Sequence, residues 1–407
     1  MSLLFEQVQG SLQKILLHCK DNCEYYHDIL SQLNIEKFSK SEFENIPLLT
    51  KKKLVENSDL IRDRTGSYEN IYTVYTSGTT GFPLRYDRSQ EDKIREGLIL
   101  QELRYSFKIP RNPIVAMFGL HKEPIIYTYN GNQRKITSLS LHNLSEERFF
   151  LYYYTLRDFK PDILQGYASV LYEFAQFIRT RGLEPLEITL VENRSEHLQN
   201  SQFDDITRYL GKLSNMYGAS ETYPIAYSCP HGKLHISGKN VYIEVVDMNS
   251  FEVLPIGQTG EIVVTSLTNR LTPIIRYRTG DIGMINYCEC QCGNTIELTL
   301  MMGRTGDQIK TPNGYLNAVV LRRLFDHFGD PGYEGIGELQ IIQEKEDIFT
   351  INLVENVNHM NDNLVSNLVS LVKNCLGYSV EVNVCKVSEL ERNPTNRKCP
   401  PFISRCK

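Results

Sequence analysis

Ile71-Tyr72-Thr73-Val74-Tyr75-Thr76-Ser77-Gly78-Thr79-Thr80-Gly81-Phe82-Pro83 joins a β-branched and aromatic run to a cluster of hydroxyls and glycines. Ile71 to Tyr75 reads as a strand. Thr76 to Gly81 contains two glycines and four hydroxyl side chains. Such a loop can wrap anionic oxygens with backbone N–H and side-chain O–H donors, so it reads as a phosphate clamp. It is not a P-loop, because no lysine follows Gly81 and the hydroxyls precede the last glycine. By composition alone it could also be an ordinary Ser/Thr/Gly surface turn.

Working outward, 407 residues suggest two domains, or one large domain with a small one. A net charge of -5, with 23% charged and 41% hydrophobic residues, predicts a soluble globular protein. Basic residues are dispersed, which argues against a nucleic-acid partner. The apolar runs fall well short of the ~20 residues of a membrane span. Met1-Ser2-Leu3 enters helical periodicity directly, so no secretory leader is expected. Ten irregularly spaced cysteines fit a reducing cytoplasm, where clustered thiols more often bind metal than pair.

Helical spacing of Leu4, Val8, Leu12, Ile15 and Leu16 predicts one or two opening helices over residues 3 to 34, with Cys19 and Cys23 half-buried on one face. Thr50 is a candidate cap for a short helix. Ser89 to Tyr105 reads as a helix, and 113 to 119 as a buried strand ending in the loop Leu120-His121-Lys122. Helices are expected over 149–159 and 170–179, and a strand over 188–191. This alternation gives an α/β fold. Strands follow over 241–246 and 260–265. Beyond residue 304, strands at 339–342, 349–354 and 380–387 with a helix at 364–376 predict a small α+β unit.

Four motifs carry the chemistry. Thr76-Ser77-Gly78-Thr79-Thr80-Gly81, Tyr217-Gly218-Ala219-Ser220-Glu221, Tyr277-Arg278-Thr279-Gly280-Asp281 and Gly303-Arg304-Thr305-Gly306-Asp307-Gln308-Ile309-Lys310 occur in that order. Together they resemble the adenylate-forming superfamily, the acyl-CoA synthetases and their relatives. The lead-in Ile46 to Leu54 is similar to the phenylacetate-CoA ligase-like branch, which includes proteins found with capsule-synthesis genes.

The resemblance implies a large multi-subdomain adenylating domain, residues 1–303, and a small mobile C-terminal lid, residues 304–407, with Asp307 at the hinge. It implies that Thr76, Ser77, Gly78, Thr79, Thr80 and Gly81 hold phosphates of ATP or AMP. Ser195, Glu196 and Tyr217 would lie near adenine and Asp281 and Arg304 at the ribose, with Gly218, Ala219 and Lys310 also among the nucleotide-binding residues. Glu221 would bind Mg²⁺, a cation that prefers hard oxygen ligands. Thr76, Glu221 and Lys398 are the implied catalytic residues. Pro161 to Ser169 is similar to the segment lining the acyl pocket. Outside this context, Tyr217 to Glu221 would be a turn followed by a helix.

Near the C-terminus the family pattern is Pro-Arg-Thr, two residues, Gly-Lys. Here Arg397 stands in place of the glycine before Lys398, and the Pro, Arg and Thr are out of step. Cys229-Pro230-His231-Gly232-Lys233-Leu234-His235 and Cys288-Glu289-Cys290-Gln291-Cys292 form two ligand-bearing knuckles, the way structural zinc is held. Zinc-bearing members of the branch point to Cys229, His235, Cys290 and Cys292, with His231 and Cys288 as spares. Reduced, unligated thiols are the other reading.

The expected reaction is ATP-dependent activation of a small-molecule carboxylic acid, aryl or amino, followed by transfer to coenzyme A. An amine, hydroxyl or carrier-protein acceptor is the alternative, as is a nucleotide-binding homologue with weakened catalysis. A cytoplasmic monomer or homodimer without nucleic-acid or membrane partners is expected.

Overall fold

A computed structural model describes residues 2–66, 68–75, 85–119, 125–129, 134–141, 144–194, 196, 198, 200–219, 221–304, 308–312, 314–317, 321, 336–355, 363–394 and 397–406. Helix and strand alternate through them, and the fold is mixed α/β. Contacts divide the chain into two units, Met1–Ser106 with Met216–Leu300 and Phe107–Asn215 with Met301–Lys407.

In the first unit the opening helix Ser2–Asn22 buries Phe5, Val8, Leu12, Ile15, Leu16 and Cys19 along one stripe. Cys19 and Cys23 are fully buried, deeper than expected, because helix Glu24–Ser31 folds back over them. Thr50 caps Lys51–Glu56, its hydroxyl accepting from Lys53 N at 3.2 Å. Ser89 and Asp92 form a reciprocal capping box that starts helix Gln90–Tyr105. The Asp92 carboxylate also accepts from Arg270 N at 3.1 Å and Leu271 N at 3.3 Å. The helix start is thereby fastened to the segment leading into the Tyr277-Arg278-Thr279-Gly280-Asp281 motif.

That segment enters a sheet ordered Val241–Val246, Thr259–Ser266, Tyr277–Tyr287, Ile296–Arg304. Its entry is fixed by Arg276, buried at 3% exposure with φ +49°, a left-handed conformation uncommon for a side-chain-bearing residue. The Arg276 Nε donates to Glu244 Oε2 at 3.0 Å, and the guanidinium also donates to the carbonyls of Glu44 and Ile46. Leu49 N donates to Arg276 O at 2.9 Å, and Arg278 N to Leu49 O at 2.9 Å. The Ile46 to Leu49 lead-in is therefore stitched to the strand by side chain and backbone together.

In the second unit a sheet runs in the order Ile188–Arg194, Ile163–Gly166, Val115–Gly119, Arg134–Ser140, Ile125–Tyr129. The first four strands are parallel and the last is antiparallel. Helices Glu146–Phe159, Ala168–Thr180 and Asn200–Tyr209 contribute to its core, where Phe118, Phe149, Phe174 and Phe177 pack ring against ring. Ile125–Tyr129 and Arg134–Ser140 were not foreseen from the sequence.

A further sheet, ordered Glu381–Lys386, Ile348–Glu355, Ile336–Gln343, Phe402–Ser404, has its own core with Ile309 and Leu321. Helix Leu364–Leu376 spans the residues expected and buries Leu364, Leu368, Val372 and Leu376 at four-residue spacing. Phe402–Ser404 pairs in parallel with Ile341–Gln343, a strand too short to show in the sequence.

Glu338 is buried on this sheet and accepts from Gln202 Nε2 at 2.9 Å. Burial pushes its carboxyl up to about 8, against a smaller opposing pull from Arg392. The folded chain thus keeps a proton that the unfolded chain releases in the ordinary carboxylate range. This contribution to stability is full below that range and is lost as pH rises through about 8. Glu338→Gln keeps an acceptor for Gln202 and should flatten the fall in melting temperature between about pH 5 and about pH 9. Thermal denaturation of both proteins across that range checks this.

Candidate functional site

Tyr217, Gly218 and Ala219 lie at the end of strand Gly211–Ala219, and the chain returns as strand Thr222–Ser228, pairing Ala219 with Thr222. Tyr217 to Glu221 is thus a tight strand-to-strand reversal, and no helix follows it. Gly218 is required there: a Cβ would come within 2.8 Å of the Tyr223 ring.

Tyr217 and Asp281 meet directly, with Tyr217 Oη donating to Asp281 Oδ2 at 2.9 Å. Thr279 Oγ1 accepts from Asp281 N at 3.0 Å and donates to Ile262 O at 2.9 Å, which fixes the turn presenting that carboxylate. Glu261 accepts from Gly280 N at 3.2 Å and pairs with Arg278 at 2.6 Å. The motif's polar residues therefore hold one another while aiming the aspartate.

Glu221 is 6% exposed, and Tyr277 Oη donates to its Oε1 at 2.9 Å. Sequence reasoning missed this role, reading Tyr277 only as the first letter of a motif. A tyrosine two residues before the Thr-Gly-Asp turn, facing a second motif's glutamate, becomes visible only when the strands pair.

Cys229, His235, Cys290 and Cys292 converge, with their ligand atoms all within 4.8 Å of one another. Cys229 Sγ and Cys290 Sγ are 3.6 Å apart, and Cys292 Sγ and His235 Nε2 are 3.3 Å apart. A tetrahedral zinc with bonds of about 2.3 Å to sulfur and 2.0 Å to nitrogen sets edges of about 3.5–3.8 Å, so the cluster fits. His235 Nδ1 lies 2.6 Å from Ile296 O. A carbonyl can only accept, so Nδ1 carries the proton and Nε2 keeps its lone pair toward the cysteines.

Gly232 and Gly293 turn the two knuckles with φ +81° and +88°, donating to Cys229 O and Cys290 O at 2.9 Å each. Of the spares, Cys288 Sγ lies 3.7 Å from Asn294 O instead.

In the second unit Glu196 follows strand Ile188–Arg194, and both its carboxylate oxygens take donors from the protein, Cys399 N and Ser169. Lys398 sits in a turn closed by Asn393 N to Lys398 O at 2.7 Å and Arg397 N to Asn393 O at 2.8 Å. Arg397 has φ +59°. The position where the family pattern has glycine thus keeps the glycine-favouring conformation, at a cost of about 1–2 kcal/mol for arginine. Lys310 lies on strand Gln308–Thr311, where its ammonium pairs with Glu346. Arg304 ends strand Ile296–Arg304. Thr76, Ser77, Gly78, Thr79, Thr80, Gly81, Ser195 and Asp307 lie outside the described residues.

No protein-family model matches the chain. Over 166 residues it is 31% identical to the phenylacetate-coenzyme A ligase of Thermus thermophilus, covering 38% of this chain and 36% of that protein. It is 34% identical over 138 residues to the phenylacetate-coenzyme A ligase of Pseudomonas putida, covering 31% and 30%. These matches span about a third of either ligase's own length. Protein CapK of Staphylococcus aureus is 22% identical over 414 residues, covering 97% of this chain and 88% of CapK.

The chain resembles the phenylacetate-CoA ligase-like branch of the adenylate-forming proteins in sequence. The likeness of fold extends over the whole chain: a 2-hydroxyisobutyryl-CoA ligase, crystallised in its postadenylation state with an acyl-AMP, superposes with a TM-score of 0.74 at 16% identity, covering 98% of this chain and 89% of that one. An anthranilate CoA ligase in complex with anthranoyl-AMP gives a TM-score of 0.53 at 16% identity, covering 82% and 67%.

Tyr277→Phe removes the hydroxyl that donates to Glu221. Removing a donor from a buried carboxylate should cost about 1–3 kcal/mol of stability. Denaturant titration of wild type and Tyr277→Phe measures the loss, and an unchanged midpoint would show that the bond to Glu221 contributes nothing to stability.

Proposed function

We propose that the protein activates a carboxylic acid with ATP and then passes the acyl group to coenzyme A. The observation that carries this reading is the pairing of Tyr217 with Asp281 and of Tyr277 with Glu221, which joins two motifs of distant sequence into one polar framework. In the first step a carboxylate oxygen of the acid attacks the α-phosphorus of ATP, the bond to the β-phosphate oxygen breaks, and pyrophosphate leaves. In the second the thiol sulfur attacks the acyl carbon and AMP leaves.

Asp281 is suited to receive both ribose hydroxyls, since a carboxylate offers two acceptor oxygens. Glu221 offers a hard oxygen to Mg²⁺, which when bound would offset the triphosphate charge. Lys398 would place positive charge on the α-phosphate oxygens as the acid attacks. Aryl and amino acids are the proposed substrate class, and the phenylacetate-coenzyme A ligases among the sequence relatives favour the aryl side. Residues 304–407 are proposed to act as the lid, supported by the separate core that Ile309 and Leu321 share with the C-terminal sheet. Among the described residues no helix is long and apolar enough to cross a membrane.

Pyrophosphate release with ATP and a panel of aryl and amino acids tests the reading; a homologue that only binds nucleotide would release none. In Lys398→Ala, acyl-adenylate formation should fall by about two orders of magnitude, the loss of ~3 kcal/mol of transition-state stabilisation, while ATP affinity changes far less. Replacing coenzyme A with hydroxylamine or a carrier-protein thiol in the second step distinguishes the acceptors.

Zinc at Cys229, His235, Cys290 and Cys292 is proposed to be structural, since four protein ligands leave no open position. It would tie the knuckle after Ser228 to the knuckle after Tyr287, making part of its binding energy folding energy. Cys290→Ser or Cys292→Ser should lower zinc content and melting temperature together, whereas Cys19→Ser should leave zinc content unchanged. Elemental analysis of chelator-free protein decides it; well under one zinc per chain would leave four unligated groups.

A further inference from the structure

The loop 391–400, which carries Lys398, is tied down in two different ways. At its base Gln340, fully buried on strand Ile336–Gln343, accepts from Glu391 N at 3.0 Å. The same amide donates to Glu391 O at 2.9 Å and to Pro400 O at 2.8 Å. One side chain thereby closes both ends of the loop onto its own sheet.

Nearer the lysine the ties run elsewhere. Arg392, its side chain 9% exposed, donates to Ser169 Oγ at 2.7 Å and pairs with Glu173 at 2.8 Å, both on helix Ala168–Thr180. Cys399 N, the amide next to Lys398, donates to Glu196 Oε1 at 2.5 Å. Glu196 Oε2 in turn accepts from Ser169 N at 3.0 Å and Ser169 Oγ at 2.8 Å. Ser169 is thus shared by the arginine and the glutamate, so the two contacts form one network. Burial raises the carboxyls of Glu173 and Glu196, and Arg392 opposes both shifts. These bonds are charge-assisted and largely removed from water, so each is stronger than a neutral surface bond.

Glu196, expected beside adenine, takes donors from the lysine loop and from the start of a helix. We propose that Arg392 and Glu196 form a clasp that positions Lys398 for the adenylation half-reaction. The Gln340 tie keeps the loop closed on its own sheet, whereas the clasp decides where the loop sits against helix Ala168–Thr180. Arg392 acts through Lys398 and is a positioning residue. The proposal rests on the adenylating function put forward above.

The two half-reactions are to be measured separately, using the acid that gives the most pyrophosphate release. One assay follows acid-dependent pyrophosphate release; the other follows thioester formation from the synthetic acyl-adenylate and coenzyme A. Arg392→Ala should lower the kcat of pyrophosphate release by about tenfold or more, equivalent to at least about 1.4 kcal/mol, with the KM for ATP within about threefold. Thioester formation should stay within about twofold of wild type.

The double substitution Arg392→Glu with Glu173→Arg restores the ion pair in reverse and should recover part of the lost adenylation, which a purely steric role for Arg392 does not predict. Equal loss of both half-reactions, unchanged pyrophosphate release, or no recovery in the charge swap would each overturn the clasp. Wild-type protein that releases no pyrophosphate with any acid would instead overturn the adenylating function itself, and the clasp with it.

Discussion

A buried arginine at the mouth of one strand governs the first unit. Arg276 takes a left-handed backbone conformation, which for a residue with a side chain costs about 1–3 kcal/mol. It is held there by Glu244 and by the carbonyls of Glu44 and Ile46, with Leu49 bonded to Arg276 O and Arg278 N on either side of Tyr277. Breaking the pair by removing one partner would leave a charge uncompensated in the core, at about 3–5 kcal/mol a larger cost than the strain. The strand that begins at Tyr277 therefore has one possible start. Because Tyr277 and Asp281 are four residues apart on it, fixing that start fixes both the donor to Glu221 and the acceptor from Tyr217.

The same economy appears at the two knuckles. Gly232 and Gly293 allow each chain reversal, backbone bonds to Cys229 O and Cys290 O close it, and the Ile296 carbonyl selects the tautomer of His235. Cysteines with no such shaping, such as Cys19 and Cys23, pack as small apolar groups within a helical core. Residue type alone does not distinguish these two uses of cysteine; the turn around the thiol does.

In the second unit the lysine loop shows how a departure from a family pattern can leave geometry intact. Arg397 keeps a conformation that glycine would adopt without strain, because Asn393 bonds to both Arg397 and Lys398 and over-determines the turn. Buried Arg392 and the half-buried carboxyls of Glu173 and Glu196 are tolerated nearby because the arginine and backbone and hydroxyl donors meet those carboxylates, while buried Glu338 holds its proton and accepts from Gln202.

The sequence by itself determined which residues form many of the longer elements and which motifs were candidates for chemistry. Helix Leu364–Leu376 and the cap at Thr50 were legible, and the Thr-Gly-Asp and Cys/His clusters could be picked out because each is a local run of residues. Only tertiary structure decided who partners whom. The Tyr277 bond to Glu221 spans 56 residues, Arg392 reaches Glu173 across 219, and Cys399 reaches Glu196 across 203. No periodicity encodes a pairing of that kind, since it arises where separate strands and helices are brought together by burial of their apolar faces. For the same reason Phe402–Ser404 was invisible: three residues carry no pattern of their own, and they form a strand only because Ile341–Gln343 offers an edge to pair with.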